Sequence, residues 1–442
     1  MLMKLFNKIS LILIITALIL VFTGPIFAQG RSDQAFERVW QVQQRNTERL
    51  MAMNGVEGTA IGLNNNQLAL KVFTSRPGVA GIPGYINGVP VQIEVTGRFY
   101  SLAKPLKPEK PGKPKPPGDT EPPLTPTGLY LTTDKNLIAL SWTANTETDL
   151  AGYKIYYSFA PDIDYILIGT STSNTFSDDL AVPFIVYSYA VTAVDTYGNE
   201  SAPAYKSALT ESPSYEDWPS HIGVSTGHPD ITAGTIGCRV KKVIGDKTYV
   251  FALSNNHVYA NENIAILGDN VLQPGTYDYG VNPDDAIGVL YDYVPIKFGP
   301  RSSNTIDSAI ALCSLQTLGN STPEYFGATY TGSYIPSSNI ATAVPDMLVK
   351  KYGRTTGLTS GSIYALSATV KVGYDSGMAI FVNQIIITPG TFSAGGDSGS
   401  LIVTQNTNQP VGLLFAGSSS YTIANPIGTV LSAFGVTIDD TP

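Results

Sequence analysis

Between residues 104 and 126 prolines recur among Lys107, Lys110, Lys113 and Lys115, and neither a helix interior nor a central strand tolerates such a run. Each proline fixes φ and removes a backbone donor. The segment therefore reads as an extended, semi-rigid spacer of polyproline II type, rising ~3 Å per residue. Its lysines could touch an acidic cell wall, although a solvated spacer needs no such partner. With residues 104–120 taken as a linker, the chain on each side of it must bury a core of its own.

Composition then limits what those cores are made of. Of 442 residues, 43% are hydrophobic and only 14% charged, enough apolar surface for several domains. The 42 glycines, 30 prolines and 25 tyrosines, among abundant Val, Ile and Thr, favour short strands and turns. A mainly β, multidomain chain is expected. A net charge of −8 argues against nucleic acid as a partner, because phosphate contact needs a basic surface.

Residues 1–28 read as a signal peptide. Lys4 and Lys8 precede an apolar stretch from Ile9 to Phe22, Gly24-Pro25 breaks it, and Ala28 offers a small residue for cleavage. The stretch is short of the about 20 residues that a membrane span needs, so export to a secreted or cell-surface location is expected. Cys238 and Cys313 would then meet an oxidising medium, and both a disulfide between them and two buried free thiols remain open.

Residues 31–103 read as a small α+β leader. Phe36, Val39, Trp40, Gln43, Leu50 and Met51 mark one helical face ending near Gly55. Strand-like runs come next at 59–63 and 67–74, joined by Asn64-Asn65-Asn66, with a further run at 89–95. The unit resembles the leader regions of bacterial peptidases, which implies a propeptide that shields the catalytic domain or helps it fold. Residues 121–212 resemble a fibronectin type III module. Ile138, Leu140 and Trp142 alternate, as do Tyr153, Ile155 and Tyr157, and Tyr187 stands where such sandwiches carry their corner tyrosine. Alternation assigns these aromatic residues to a core rather than to a carbohydrate platform, though cell-wall or glycan contact through this module stays open.

The chemistry lies further on. Gly395-Gly396-Asp397-Ser398-Gly399-Ser400 places a serine in a glycine-flanked turn, where the amides of Gly396 and Ser398 can point into one cavity as an oxyanion hole. His257 ends the apolar run Phe251-Ala252-Leu253-Ser254-Asn255-Asn256-His257-Val258. Asp307 heads the run Ala309-Ile310-Ala311-Leu312. Singly each has a plain structural reading; in the order His, Asp, Ser they form a candidate triad. Residues 214–442 resemble a trypsin-like serine peptidase of the chymotrypsin fold, on the boxes Ser254-Asn255-Asn256-His257-Val258, Ile306-Asp307-Ser308-Ala309-Ile310-Ala311-Leu312 and Gly396-Asp397-Ser398-Gly399-Ser400. Val258 stands where that family has a cysteine, and Ser400 where it has a glycine.

The resemblance implies a double β-barrel and peptide-bond hydrolysis through an acyl-enzyme, with His257 as base, Asp307 as its orienter and Ser398 as nucleophile. It also implies a protein or peptide substrate and no cofactor. Gly412-Leu413-Leu414-Phe415-Ala416-Gly417 resembles the strand that lines the substrate backbone, which makes Phe415, Ala416 and Gly417 substrate-binding candidates. Phe392 aligns with the pocket floor and carries no acid, so basic side chains are not expected there. Arg354, in the segment Lys351-Tyr352-Gly353-Arg354-Thr355-Thr356-Gly357, is a candidate counter-charge for Asp397, and activation by a new terminus at Ile222 is not expected. His221 and His228 lack the adjacent ligands that a metal site requires. The competing readings are a catalytically silent pseudopeptidase and an extracellular adhesion protein led by the fibronectin-like module.

Overall fold

The computed structural model describes residues 33–65, 67–101, 120–134, 137–210 and 219–441, so the expected signal peptide and nearly all of the linker lie outside the described residues. The fold is mainly β. It comprises an N-terminal helix-and-sheet unit, called the leader after its sequence reading, a fibronectin type III sandwich and a chymotrypsin-like double barrel.

In the C-terminal half, one antiparallel six-stranded sheet runs in the order Asn270–Leu272, Ala286–Tyr293, Ala309–Cys313, Lys247–Ser254, Cys238–Ile244, Thr437–Ile438. All five residues of Ala309–Cys313 are buried, as expected where alternating small and branched side chains face packed layers on both sides. The second set, Leu348–Gly353, Leu401–Thr404, Pro410–Gly417, Thr422–Pro426, Gly377–Thr388 and Gly357–Tyr374, closes on itself because the last strand also pairs with the first. Val349, Ile363, Ile385, Ile387, Ile402 and Leu414 form one core of this set, while Val403 and Leu413 face the other way into the cluster shared with the first barrel. Full burial of each such side chain stabilises by about 1.5–3 kcal/mol.

Cys238 and Cys313 are both free and buried. Cys238 pairs with Leu253 and Cys313 with Val250, so strand Lys247–Ser254 lies between the two cysteines. Strands two positions apart are separated by about 10 Å, beyond the reach of a disulfide. The candidate pair is thus corrected to two isolated thiols, and burial pushes the Cys313 thiol up to about 12.

The sandwich packs a three-stranded sheet (Thr127–Asp134, Leu137–Thr143, Thr175–Asp178) on a four-stranded one (Leu150–Ser158, Ile166–Ser171, Val186–Asp195, Ala204–Leu209). Ile138, Leu140, Trp142, Tyr153, Ile155, Tyr187 and Tyr189 form its core. The Tyr187 hydroxyl accepts a bond from the Val182 amide at 3.0 Å, the corner arrangement of this fold. Side chains dock it on the first barrel: Tyr157 donates to the Gly268 carbonyl at 3.2 Å, and Asn270 to the Leu180 carbonyl at 3.1 Å.

In the leader, helix Asp33–Met51 buries Phe36, Val39, Val42, Leu50 and Met51 against Val56, Ile61, Leu70 and Val72. Strands Val56–Asn64 and Gln67–Thr74 form a hairpin that turns at Asn65 with φ +48°, and Val89–Val95 joins its far edge in parallel. The near edge does not end the sheet. Val56–Asn64 pairs antiparallel with Gly357–Tyr374 of the second barrel. Buried Gln43 spans the join, donating to the Ser367 carbonyl at 2.9 Å.

Candidate active site

The candidate triad residues sit on three loops where the barrels meet. His257 lies on the single turn Asn256–Tyr259 that succeeds strand Lys247–Ser254; Asp307 directly precedes Ala309–Cys313; Ser398 precedes Leu401–Thr404. All three are buried. The His257 Nδ1–H donates to Asp307 Oδ2 at 2.5 Å, and the His257 amide donates to Asp307 Oδ1 at 3.2 Å. Asn255 reaches the Asp307 carbonyl at 2.7 Å and Asn425 Oδ1 accepts from the Asp307 amide at 3.0 Å, so the loops are tied together below the side chains.

One partner escaped sequence reasoning. Tyr374 Oη donates to Asp307 Oδ2 at 2.8 Å, from the end of a strand 67 residues away. Burial, and then the neighbouring Asp307 carboxylate, hold the Tyr374 phenol protonated far above its ordinary value, so it remains a donor at any working pH. No local motif marks such a residue.

Ser398 Oγ donates to the Phe415 carbonyl at 3.3 Å, and the buried Nε2 of His257 has no hydrogen-bond partner. The serine–histidine bond is therefore not formed here, a looseness common in catalytic sites without substrate. Around the serine, Gly396 and Gly399 take φ +96° and +94°, which a side chain would strain. A Cβ on Gly399 would also collide with Ser254 Oγ. Thr235 clamps the turn, its amide donating to the Ser398 carbonyl at 2.7 Å and its hydroxyl to the Gly396 carbonyl at 2.9 Å. Among the described residues, nothing accepts a hydrogen bond from the amides of Gly396 or Ser398.

Asp397 is fully buried, but its counter-charge is not Arg354. Lys351 Nζ lies 3.3 Å from Asp397 Oδ2, with both side chains excluded from solvent. Thr355 and Thr356 amides donate to Oδ1 at 2.8 and 3.2 Å, and Thr356 Oγ1 and the Ala394 amide to Oδ2 at 2.7 and 3.0 Å. Burial pushes the Lys351 ammonium below its ordinary value against the pull of Asp397. Arg354 instead holds Asp278, through Nε at 2.8 Å and Nη2 at 2.6 Å. Lysine's single point charge fits the narrow space beneath the turn, whereas the planar guanidinium takes both oxygens of a carboxylate at the surface. Ile222 is buried, and the Asp397 carboxylate is already satisfied without it.

Of the substrate-binding candidates, Phe415, Ala416 and Gly417 lie on strand Pro410–Gly417, all buried. The edge of that strand is taken: leader strand Phe99–Ser101 pairs with it antiparallel, Ser101 opposite Ala416 and Tyr100 opposite Gly417. Phe392 packs among Val349, Ile363, Ile387 and Ile402 in the second barrel's core, and its carbonyl accepts from Thr359 at 2.7 Å.

Residues 336–425 match the family model for the Nal1 C-terminal domain. Over 114 residues the chain is 33% identical to streptogrisin-A of Streptomyces griseus, covering 25% of this chain and 36% of that protein. Over 116 residues it is 32% identical to glutamyl endopeptidase 2 of the same organism, covering 25% and 56%. The chain thus spans between about a third and just over half of these relatives' own length. Similar solved structures include chymotrypsin-like serine proteases and fibronectin type III domains. Protease A of Thermobifida fusca is one, with 19% identity over 50% of this chain and 98% of that one at a TM-score of 0.35.

Proposed function

We propose that residues 219–441 act as an extracellular serine endopeptidase and that residues 33–101 hold it silent until they are displaced. The observation that carries this reading is the buried His257–Asp307 pair beside a serine whose turn leaves two amides without acceptors. His257 Nε2 takes the Ser398 proton as Oγ attacks the scissile carbonyl. The Gly396 and Ser398 amides stabilise the oxyanion; one such donor typically contributes ~3 kcal/mol to lowering the barrier. His257 then protonates the leaving amine, and water, deprotonated by the same imidazole, releases the acyl group. Asp307 fixes the Nδ1–H tautomer and stabilises the imidazolium, while Tyr374 keeps that carboxylate oriented.

The leader's role is supported by its position. Strand Phe99–Ser101 occupies the backbone edge of Ala416 and Gly417 that a peptide substrate would need. Phe99 is buried on Phe73, in one cluster with Phe415 and Phe381.

A fluorophosphonate probe tests the reading. After the leader is removed, the probe is expected to mark the peptide that contains Ser398, and Ser398→Ala is expected to stay unmarked. A folded, leader-free chain that resists the probe would overturn it.

A further inference from the structure

Leader strand Phe99–Ser101 gives the cleft a direction. Running from Tyr100 opposite Gly417 to Ser101 opposite Ala416, it heads toward Phe415, whose carbonyl contacts Ser398 Oγ. A substrate strand laid the same way carries its leaving side past Ser398 toward Gly395 and Gly396. That side is not blank. Thr355 Oγ1 donates to the Gly395 carbonyl at 2.7 Å, and a Cβ on Gly396 would lie 2.8 Å from Arg354 Nη1. Arg354 and Thr355 are also one wall of a cleft of about 440 Å³. Tyr325, Phe326 and Gly327 of the hairpin formed by Tyr325–Phe326 and Thr329–Tyr330 also line it, and Tyr325 is 55% and Phe326 39% exposed.

We propose that this cleft is a leaving-side subsite for the peptidase reading above, and that it takes an aromatic or large aliphatic side chain of the substrate segment beyond the cleaved bond. Charge decides the chemistry of the occupant. The two charged residues lining the cleft, Asp278 and Arg354, neutralise each other through two hydrogen bonds. A charged side chain would find no free partner there, while an apolar one gains the faces of Tyr325 and Phe326. The hairpin is built in rather than draped. Tyr352 Oη donates to the Tyr325 carbonyl at 2.7 Å, the Phe326 ring meets Tyr352 edge-on at 6.2 Å, and Gly357, at φ +61°, has no Cβ to push that ring away. The same turn, residues 352–357, supplies the amides that hold Asp397. An occupant of the cleft thus rests on the segment that supports the nucleophile turn.

The test uses quenched fluorescent peptides with one fixed acyl half and either Phe, Leu, Gly or Asp at each of the first three leaving-side positions. Rates are measured on the product expressed as the full chain and then freed of its leader by limited proteolysis, and normalised to the sites that the fluorophosphonate titrates. At one position Phe and Leu are expected to exceed Gly and Asp by about tenfold or more in kcat/KM, the discrimination an apolar pocket can give. Tyr325→Ala and Phe326→Ala are expected to reduce that ratio to about threefold or less. Tyr325 is exposed enough for its removal to spare the fold. Cleavage indifferent to all leaving-side residues, or a ratio unmoved by both substitutions, would overturn the subsite alone. No cleavage and no titratable site would overturn the peptidase reading and the subsite with it.

Discussion

The sandwich and the leader are two small units joined to the same C-terminal half, and they are joined by different physics. Every named strand of the sandwich pairs within the sandwich, and contact with the first barrel runs through side chains such as Tyr157 and Asn270. The leader joins by main chain. Its strand Val56–Asn64 extends the second barrel's sheet, and Phe99–Ser101 bridges Gly357–Tyr374 and Pro410–Gly417. Side-chain docking depends on a few residues and leaves no sheet edge in need of a partner. Strand addition uses obligatory backbone groups and is tolerant of sequence, so any extended peptide competes for the same edge. On the reading proposed above, a leader held this way would mimic substrate, whereas substrate would leave the sandwich in place.

The largest expected effect removes chemistry without touching either attachment. Ser398→Ala or His257→Ala is expected to lower peptidase turnover by about 10⁶, because the two act as a unit. Thermal unfolding should barely move, and a purified Ser398→Ala protein within about tenfold of wild type would contradict the triad. Next comes the ion pair beneath the nucleophile turn. Lys351→Ala leaves Asp397 buried without a counter-charge and should cost about 3–5 kcal/mol in denaturant unfolding, whereas Arg354→Ala, which breaks a partly exposed pair, should cost about 1 kcal/mol or less.

The leader side can then be loosened alone. Glu94 accepts from Tyr364 Oη at 2.5 Å and from Tyr421 Oη at 3.3 Å, tying the leader to strand Gly357–Tyr374 and to the residue just before strand Thr422–Pro426. Glu94→Ala should weaken inhibition by added leader by about 1.5–3 kcal/mol, read as a rise in its inhibition constant, with the sandwich's melting unchanged. The smallest effect lies on the sandwich side. Tyr187→Phe removes the bond to the Val182 amide and should lower sandwich stability by about 1 kcal/mol, while leader binding stays as it was.

Legibility tracked the range of the interactions. The sandwich core was readable because alternation at Ile138, Leu140 and Trp142 is local, and the leader's helix and hairpin because periodicity and an Asn turn are local. The residues around Ser398, His257 and Asp307 were readable because each sits in a short motif at the end of an apolar run. The hidden part is long-range. Tyr374 reaches Asp307 across barrels, and the leader's pairing with residues 357–374 joins segments about 300 positions apart in sequence. Lys351 lay inside the right segment, yet charge alone could not rank it against Arg354; only burial separates a lysine beneath the turn from an arginine at the rim.

Asp397, anchored from within by Lys351 and the threonine turn, bears on how such an enzyme would be switched on. Where a catalytic loop waits for a freshly cut amino terminus, the address of the cut is part of the signal. Here the loop has its counter-ion in advance, so the address carries no information. Any severing of the lysine-rich tether would serve, and the delay before activity would be set by how fast a severed strand lets go.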